Sequence, residues 1–204
     1  MDDLMYLKSG TDIRGTAIEK DGKAVDLTDE RLESIVNSLV VFLKNKLNKE
    51  DLTIAVGYDS RVSSPRIFKT VTRTLLSLGV KTYDCGLAST PSMFMSIINF
   101  CLDASIEITA SHLPMEMNGL KFFTRQGGFS GGDIKEILEY AQNNPYTASD
   151  CENTPKNLLS MERYCENLCE MIKQGVNAED YEKPLKNLKI VVDAAEGAAY
   201  YTAE

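Results

Sequence analysis

The chain has 204 residues, 43% of them hydrophobic and 25% charged, and a formal net charge of −8. This is ordinary globular composition, with length enough for one domain or one domain plus part of another, and it excludes a disordered chain. With no basic patch to neutralise a phosphate backbone, nucleic acid is not an expected partner, and no apolar run approaches membrane-spanning length.

Along the chain, helices and strands are expected to alternate. Ser9–Gly15, Ser-Gly-Thr-Asp-Ile-Arg-Gly, reads as an N-terminal loop. Arg14 there is a planar cation on a glycine-flanked backbone, suited either to clamp phosphate oxygens or to pair with Asp12 at the surface. After Thr28, with Asp29 and Glu30 in the first turn, the spacing of Leu32, Ile35, Val36, Leu39, Val40 and Leu43 predicts an amphipathic helix. The chain turns near Asn48–Asp51, and Leu52–Tyr58 follows as a strand. Ser64-Pro65 opens a helix to about Leu78, which Gly79 closes before the strand Val80–Asp84. Thr90-Pro91 starts another helix. Gly127–Gly132 lacks the Gly-Lys-Ser/Thr of a nucleotide loop and is expected as a flexible turn into a helix over Ile134–Ala141. Asn143–Lys156 is a polar surface connection, and Leu158–Ile172 resumes a helical pattern through Leu159, Tyr164, Leu168 and Ile172. Leu188–Val192 is a fresh apolar strand, so a first unit is expected to span 1–183 and the start of a second 184–204.

Five cysteines, Cys85, Cys101, Cys151, Cys165 and Cys169, include no Cys-x-x-Cys pair. Cys165 and Cys169 lie one turn apart on the last helix, where two packed thiols are expected rather than a metal site. Reduced thiols and the acidic start Met1-Asp2-Asp3, unlike a signal peptide, point to a cytoplasmic protein.

Chemistry is expected at residues 109–123. Ala104–Thr109 alternates apolar and polar residues as a half-buried strand does, and Leu113-Pro114 breaks it. Ser111 then sits on a loop past a strand end, beside the single histidine, His112, with Lys121 ten positions on. Neighbours on an extended backbone face opposite ways, which places His112 badly to take the Ser111 proton, and no Gly-x-Ser-x-Gly elbow is present. Lys121, if partly shielded beside Arg14, would yield its proton more readily and exchange it with a substrate hydroxyl; fully exposed, it would be only a solvated charge.

The segment from Thr109 to Phe123, Thr-Ala-Ser-His-Leu-Pro-Met-Glu-Met-Asn-Gly-Leu-Lys-Phe-Phe, closely resembles the active-site loop of the α-D-phosphohexomutases. The likeness is greatest to the phosphomannomutase/phosphoglucomutase branch. Many relatives have Asn where this chain has Leu113. Ser9–Gly15, the run Val56-Gly57-Tyr58-Asp59-Ser60-Arg61, and Gly86-Leu87-Ala88-Ser89-Thr90-Pro91 resemble three further family segments in the same order.

The resemblance implies a three-layer α/β fold with a mixed sheet, the family's first domain. Asp193–Ala199 resembles the turn opening the second. It implies that Ser111 carries a phosphoryl group, that Arg14 clamps it, and that Lys121 leads in proton transfer with His112 assisting. Hexose phosphate and hexose bisphosphate are the implied substrates. Mg²⁺ is the implied metal, held by phospho-Ser111 and by aspartates of the second domain. The family's metal, sugar-selecting and distal phosphate loops lie in its second, third and fourth domains, without counterparts in this sequence, so this part alone is expected to be inactive. Two other classes stand beside this reading: a non-catalytic phosphate-binding or assembly module, and a serine phosphohydrolase.

Overall fold

The computed structural model describes residues 3–194 together with Gly197 and Ala198. Among these residues eight strands form one mixed sheet: β1 (Lys8–Ser9), β2 (Asp12–Thr16), β3 (Thr53–Tyr58), β4 (Lys81–Leu87), β5 (Ala104–Ile108), β6 (Met117–Thr124), β7 (Gly127–Gly128) and β8 (Lys156–Asn157). Their order is β1-β2-β6-β5-β3-β4-β8, with β7 paired to β6. The pairs among β5, β3, β4 and β8 are parallel, whereas β5–β6, β6–β2 and β2–β1 are antiparallel.

Among the described residues five α-helices cover the sheet: α1 (Asp29–Leu47), α2 (Ser64–Ser77), α3 (Thr90–Asn99), α4 (Gly131–Asn143) and α5 (Ser160–Val176). Their starts follow local chemistry. Thr28 caps α1 by accepting from the Arg31 N–H, and Pro65 lies in the first turn of α2, where a missing N–H costs nothing. Ser89 with Ser92, and Ser130 with Asp133, close reciprocal caps on α3 and α4. Asn48 ends α1 in the left-handed conformation at φ 50°.

Two cores make three layers. The larger lies under α1, α2 and α4, where Ile35, Leu39, Leu43, Ile67, Leu75 and Ile137 pack on Ile13, Ile54, Val56, Ile106, Leu120 and Phe122 of the sheet. The smaller, on the other face under α3 and α5, gathers Ala55, Cys85, Ala88, Met93, Leu102 and Met161.

Four expectations are corrected by this packing. Ser9–Gly15 is largely strand rather than loop: Asp12–Thr16 pairs with β6, so Arg14 stands on fixed backbone. The region 117–124, expected only as part of the reactive segment, forms strand β6. β5 is not half-buried but buried throughout, because α3 covers its polar face, where Ser105 Oγ donates to the Met93 carbonyl at 2.7 Å. Leu188–Val192 forms no strand and its large side chains are exposed. A strand exists by pairing, and none of the described strands lies beside it. Of the expected turn at Asp193–Ala199, Ala195, Glu196 and Ala199 lie outside the described residues, as does the stretch to Glu204; the Gly197 N–H donates to the Ala194 carbonyl at 2.8 Å.

Candidate functional site

The C-terminal ends of the parallel strands β3, β4 and β5 open on one rim of the sheet, where ligands bind in open α/β folds. β5 delivers Ser111 there. The residue is exposed and has φ 55°, a left-handed conformation that costs a non-glycine residue about 1–3 kcal/mol unless its surroundings enforce it. They do: the Ser111 N–H donates to Thr109 Oγ1 at 2.9 Å, and the Leu113 N–H to the Ala110 carbonyl at 3.1 Å. This turn also overturns the expected placing of His112. The chain is not extended at Ser111, and His112 Nδ1 lies 3.4 Å from Ser111 Oγ.

Arg61, beyond the end of β3, grips the loop from outside. Its Nη2 donates to the Ser111 and Leu113 carbonyls, both at 2.7 Å, and its Nη1 to Pro114 at 2.7 Å and Met117 at 3.1 Å. Asp59 in turn holds the guanidinium Nε at 3.1 Å and accepts from Ser64 Oγ at 2.8 Å. The Asp59 N–H donates to the Ile108 carbonyl, joining the two loops. The Asp-Ser-Arg triplet in the sequence marks this pair, but no local signal there points to the carbonyls that Arg61 binds.

The other side of the loop is held by β2 and β6. Arg14 Nη1 donates to the Ala110 carbonyl at 2.7 Å, while its Nε and Nη2 bond Asp12 Oδ2 at 3.3 and 2.7 Å. Arg14 is thus paired with Asp12, largely buried rather than at the surface, and it also reaches the serine loop. Three bonds leave two of its five N–H groups for a further oxygen. Lys121 Nζ binds both Asp12 oxygens, at 2.7 and 2.8 Å, with its side chain only 23% exposed. Asp12, expected from the sequence only as a partner of Arg14, is thus the hub between both cations. All four expected site residues, Ser111, His112, Lys121 and Arg14, belong to this rim and its adjoining face.

Two glycine and amide features let the strands close this tightly. A Cβ on Gly119 would run into the Ile13 carbonyl oxygen and lie 3.0 Å from that of Thr109. Asn118, fully buried, donates to Ser63 and Ser64 Oγ at 2.9 and 3.0 Å and so fastens β6 to the start of α2. Beside the serine loop, Leu113, Pro114, Met117, Ile18, Lys20 and Lys23 border a cleft of about 300 Å³.

Glu107, on β5 opposite Lys121, is buried, and burial pushes its carboxyl well above the ordinary glutamate range. The Asp59 charge acts in the same direction and Lys121 opposes it.

No metal-binding group of three or more His, Cys, Asp or Glu side chains occurs among the described residues. Asp12 and Asp59, which flank the loop, are committed to Lys121 and Arg14 and to Arg61 and Ser64. At the tip of the loop a modified Ser111 could offer a metal its oxygens. No described helix is long and apolar enough to cross a membrane.

Comparison with known proteins bears on the family and the fold. The family described as phosphoglucomutase/phosphomannomutase, alpha/beta/alpha domain I, matches residues 7–147. A phosphoglucosamine mutase of Alkaliphilus oremlandii is 32% identical over 197 residues, covering 95% of this chain and 41% of that protein. A phosphomannomutase of Vibrio cholerae is 27% identical over 176 residues, covering 85% and 36%. The chain thus spans about two-fifths of the length of these relatives. Among solved structures, a phosphoglucomutase/phosphomannomutase family protein from Burkholderia thailandensis superposes with a TM-score of 0.66 at 21% identity, covering 84% of this chain and 37% of that one. The open form of pp63/parafusin, a phosphoglucomutase from Paramecium, gives 0.66 at 16% identity, covering 96% and 40%. At these identities the superpositions speak for the fold.

Proposed function

The chain belongs to the phosphoglucomutase/phosphomannomutase family, and from that premise we propose that it is the phosphoserine-bearing N-terminal part of a phosphohexomutase. Residues 1–183 are its first domain and 184–204 lead into the second. In the whole protein, hexose 1-phosphate and hexose 6-phosphate interconvert through a bisphosphate. The observation that carries this reading is the exposed Ser111, held in a left-handed turn with Arg14 bonded to the carbonyl just before it.

In the reaction, the bond between Ser111 Oγ and phosphorus breaks as a sugar oxygen bonds to phosphorus. The sugar hydroxyl gives up its proton, and Ser111 Oγ gains one. Phosphoryl transfer depends chiefly on placement and electrostatics. Arg14 supplies both, with two N–H groups free to meet phosphoryl oxygens while Ala110 and Asp12 hold its plane. Lys121 takes the leading part in proton transfer, leaving Asp12 to reach the hydroxyl, and His112 assists from 3.4 Å. Mg²⁺, when bound, neutralises charge on the transferring group. Phospho-Ser111 would contribute oxygens to it, and its other ligands come from the rest of the longer protein. By the same reading this chain alone has no mutase activity, and the protein is cytoplasmic.

Incubation of the full-length protein with a hexose bisphosphate and Mg²⁺, followed by peptide mass spectrometry, tests the assignment. One phosphate on the Ser111 peptide, lost in Ser111→Ala, is expected. Phosphate mapped elsewhere would overturn it.

A further inference from the structure

Glu107 has no part in the chemistry above. It is 1% exposed, and its Oε2 has no hydrogen-bond partner. A buried polar atom left unpaired costs about 1–3 kcal/mol. Its surroundings, with Ala88 and Met93 packed over the adjoining Gly57, suit an apolar side chain, so the carboxyl is kept at a cost to the fold.

What it faces is Lys121. The two are direct partners across β5 and β6. Side chains so paired have Cβ atoms about 4.5–5.5 Å apart, within the reach of a lysine stem. Yet the ammonium is turned to the other flank, onto both oxygens of Asp12 on β2. One cation stands between carboxyl groups on its two neighbouring strands, and only the outer one is engaged.

Few other charges reach Glu107. Asp59 faces it from beyond β3 and Cys85 from β4, while α3, whose sequence is TPSMFMSIIN, brings no titratable side chain. The Cys85 thiol is itself pushed up to about 12, chiefly by burial, and is an uncharged neighbour. Burial and Asp59 together favour the protonated carboxyl, in keeping with an oxygen that has attracted no cation.

We propose that Glu107 is a positioning residue for Lys121: while it holds its proton the ammonium stays on Asp12 beside the serine loop, and once it ionises it draws the ammonium off Asp12 and back under α3. The proton lost goes to water. The consequence for turnover rests on Lys121 handling the proton in the proposed reaction. The movement of the lysine does not.

The test is a pH titration of this chain by NMR with side-chain carbon labels in glutamate and lysine. The Glu107 carboxyl resonance, identified by its absence in Glu107→Gln, should keep its protonated position after the surface glutamates have ionised. When it moves, the Lys121 side-chain resonance should move with the same midpoint, and that inflection should vanish in Glu107→Gln. Should the variant not fold, a shared or unshared midpoint in the unaltered chain still decides. Glu107 ionising with the surface glutamates, a Lys121 resonance indifferent to it, or unfolding before Glu107 ionises would each overturn the proposal. In the full-length protein, Glu107→Gln should move the alkaline limb of kcat to higher pH and leave the acid limb in place; an unmoved alkaline limb would count against the proposal. Failure to find phosphate on Ser111 would defeat the mutase reading alone, while uncoupled titrations would defeat this inference alone.

Discussion

Replacing Arg61 by Met keeps the apolar stem and removes the guanidinium that gathers the serine loop. Four carbonyls lose a donor, those of Ser111, Leu113, Pro114 and Met117. The bonds to Ser111 and Pro114 are exposed, so water replaces them at small loss. Those to Leu113 and Met117 are part-buried, and leaving such acceptors unpaired costs about 1–3 kcal/mol each. Partial rehydration brings the total to about 3 kcal/mol, concentrated in the loop. The global midpoint should therefore fall less than local protection does. At 1.4 kcal/mol per factor of ten, amide hydrogen exchange at Ser111, Leu113 and Met117 should quicken roughly 100-fold. The Thr109 amide, bonded to the Gly119 carbonyl in the sheet, should change little. Arg61→Lys should rescue only partly, because a point charge cannot reach four oxygens in the plane of one fork. If Arg61→Met left the three loop amides within a few-fold of their original rates, the clamp would not be what holds Ser111 in place.

Other outcomes follow from the same geometry. Gly119→Ala should lower stability by about 3 kcal/mol in denaturant titration, since both oxygens its methyl meets are backbone atoms that cannot turn aside; an unchanged midpoint would contradict the close approach of β2 to β6. For Glu107 the folded state holds its proton more tightly than the unfolded value of 4.5, so its stabilising share is complete below that pH and is lost as pH rises toward the folded value. Glu107→Gln should match the unaltered chain in acid and gain on it by up to about 1.4 kcal/mol per pH unit above 4.5, and a pH-independent difference would refute this. In the full-length protein Lys121→Met should lower kcat more than it raises KM, and Arg14→Lys should also slow turnover; near-normal kcat in both would reject their proposed roles. Calorimetric titration of this chain should show only weak Mg²⁺ binding, and a coupled assay no mutase turnover; tight stoichiometric binding, or turnover, would mean a site built otherwise.

Helix boundaries were legible in the sequence because their causes are local. Thr28 before Asp29 and Glu30, Pro65, Ser89 before Thr90-Pro91, and Gly79 at φ 75° act through bonds and dihedrals within a few residues. Ser111 at a strand end was legible too, from the run into Leu113-Pro114. The fate of polar residues on strands was not, since alternation shows which residues share a face but not what covers it. Ser105 and Glu107 read as solvent-facing until α3 is laid over them. Apolar character alone also proved no guide at Leu188–Val192, because a strand needs a neighbour whose position no local rule supplies. The site itself belongs to the tertiary structure. Asp12, Arg61, Glu107 and Lys121 are far apart in sequence, and only the order β2-β6-β5-β3 sets Asp12 and Glu107 on either side of one lysine and brings Arg61 to four carbonyls of the serine loop.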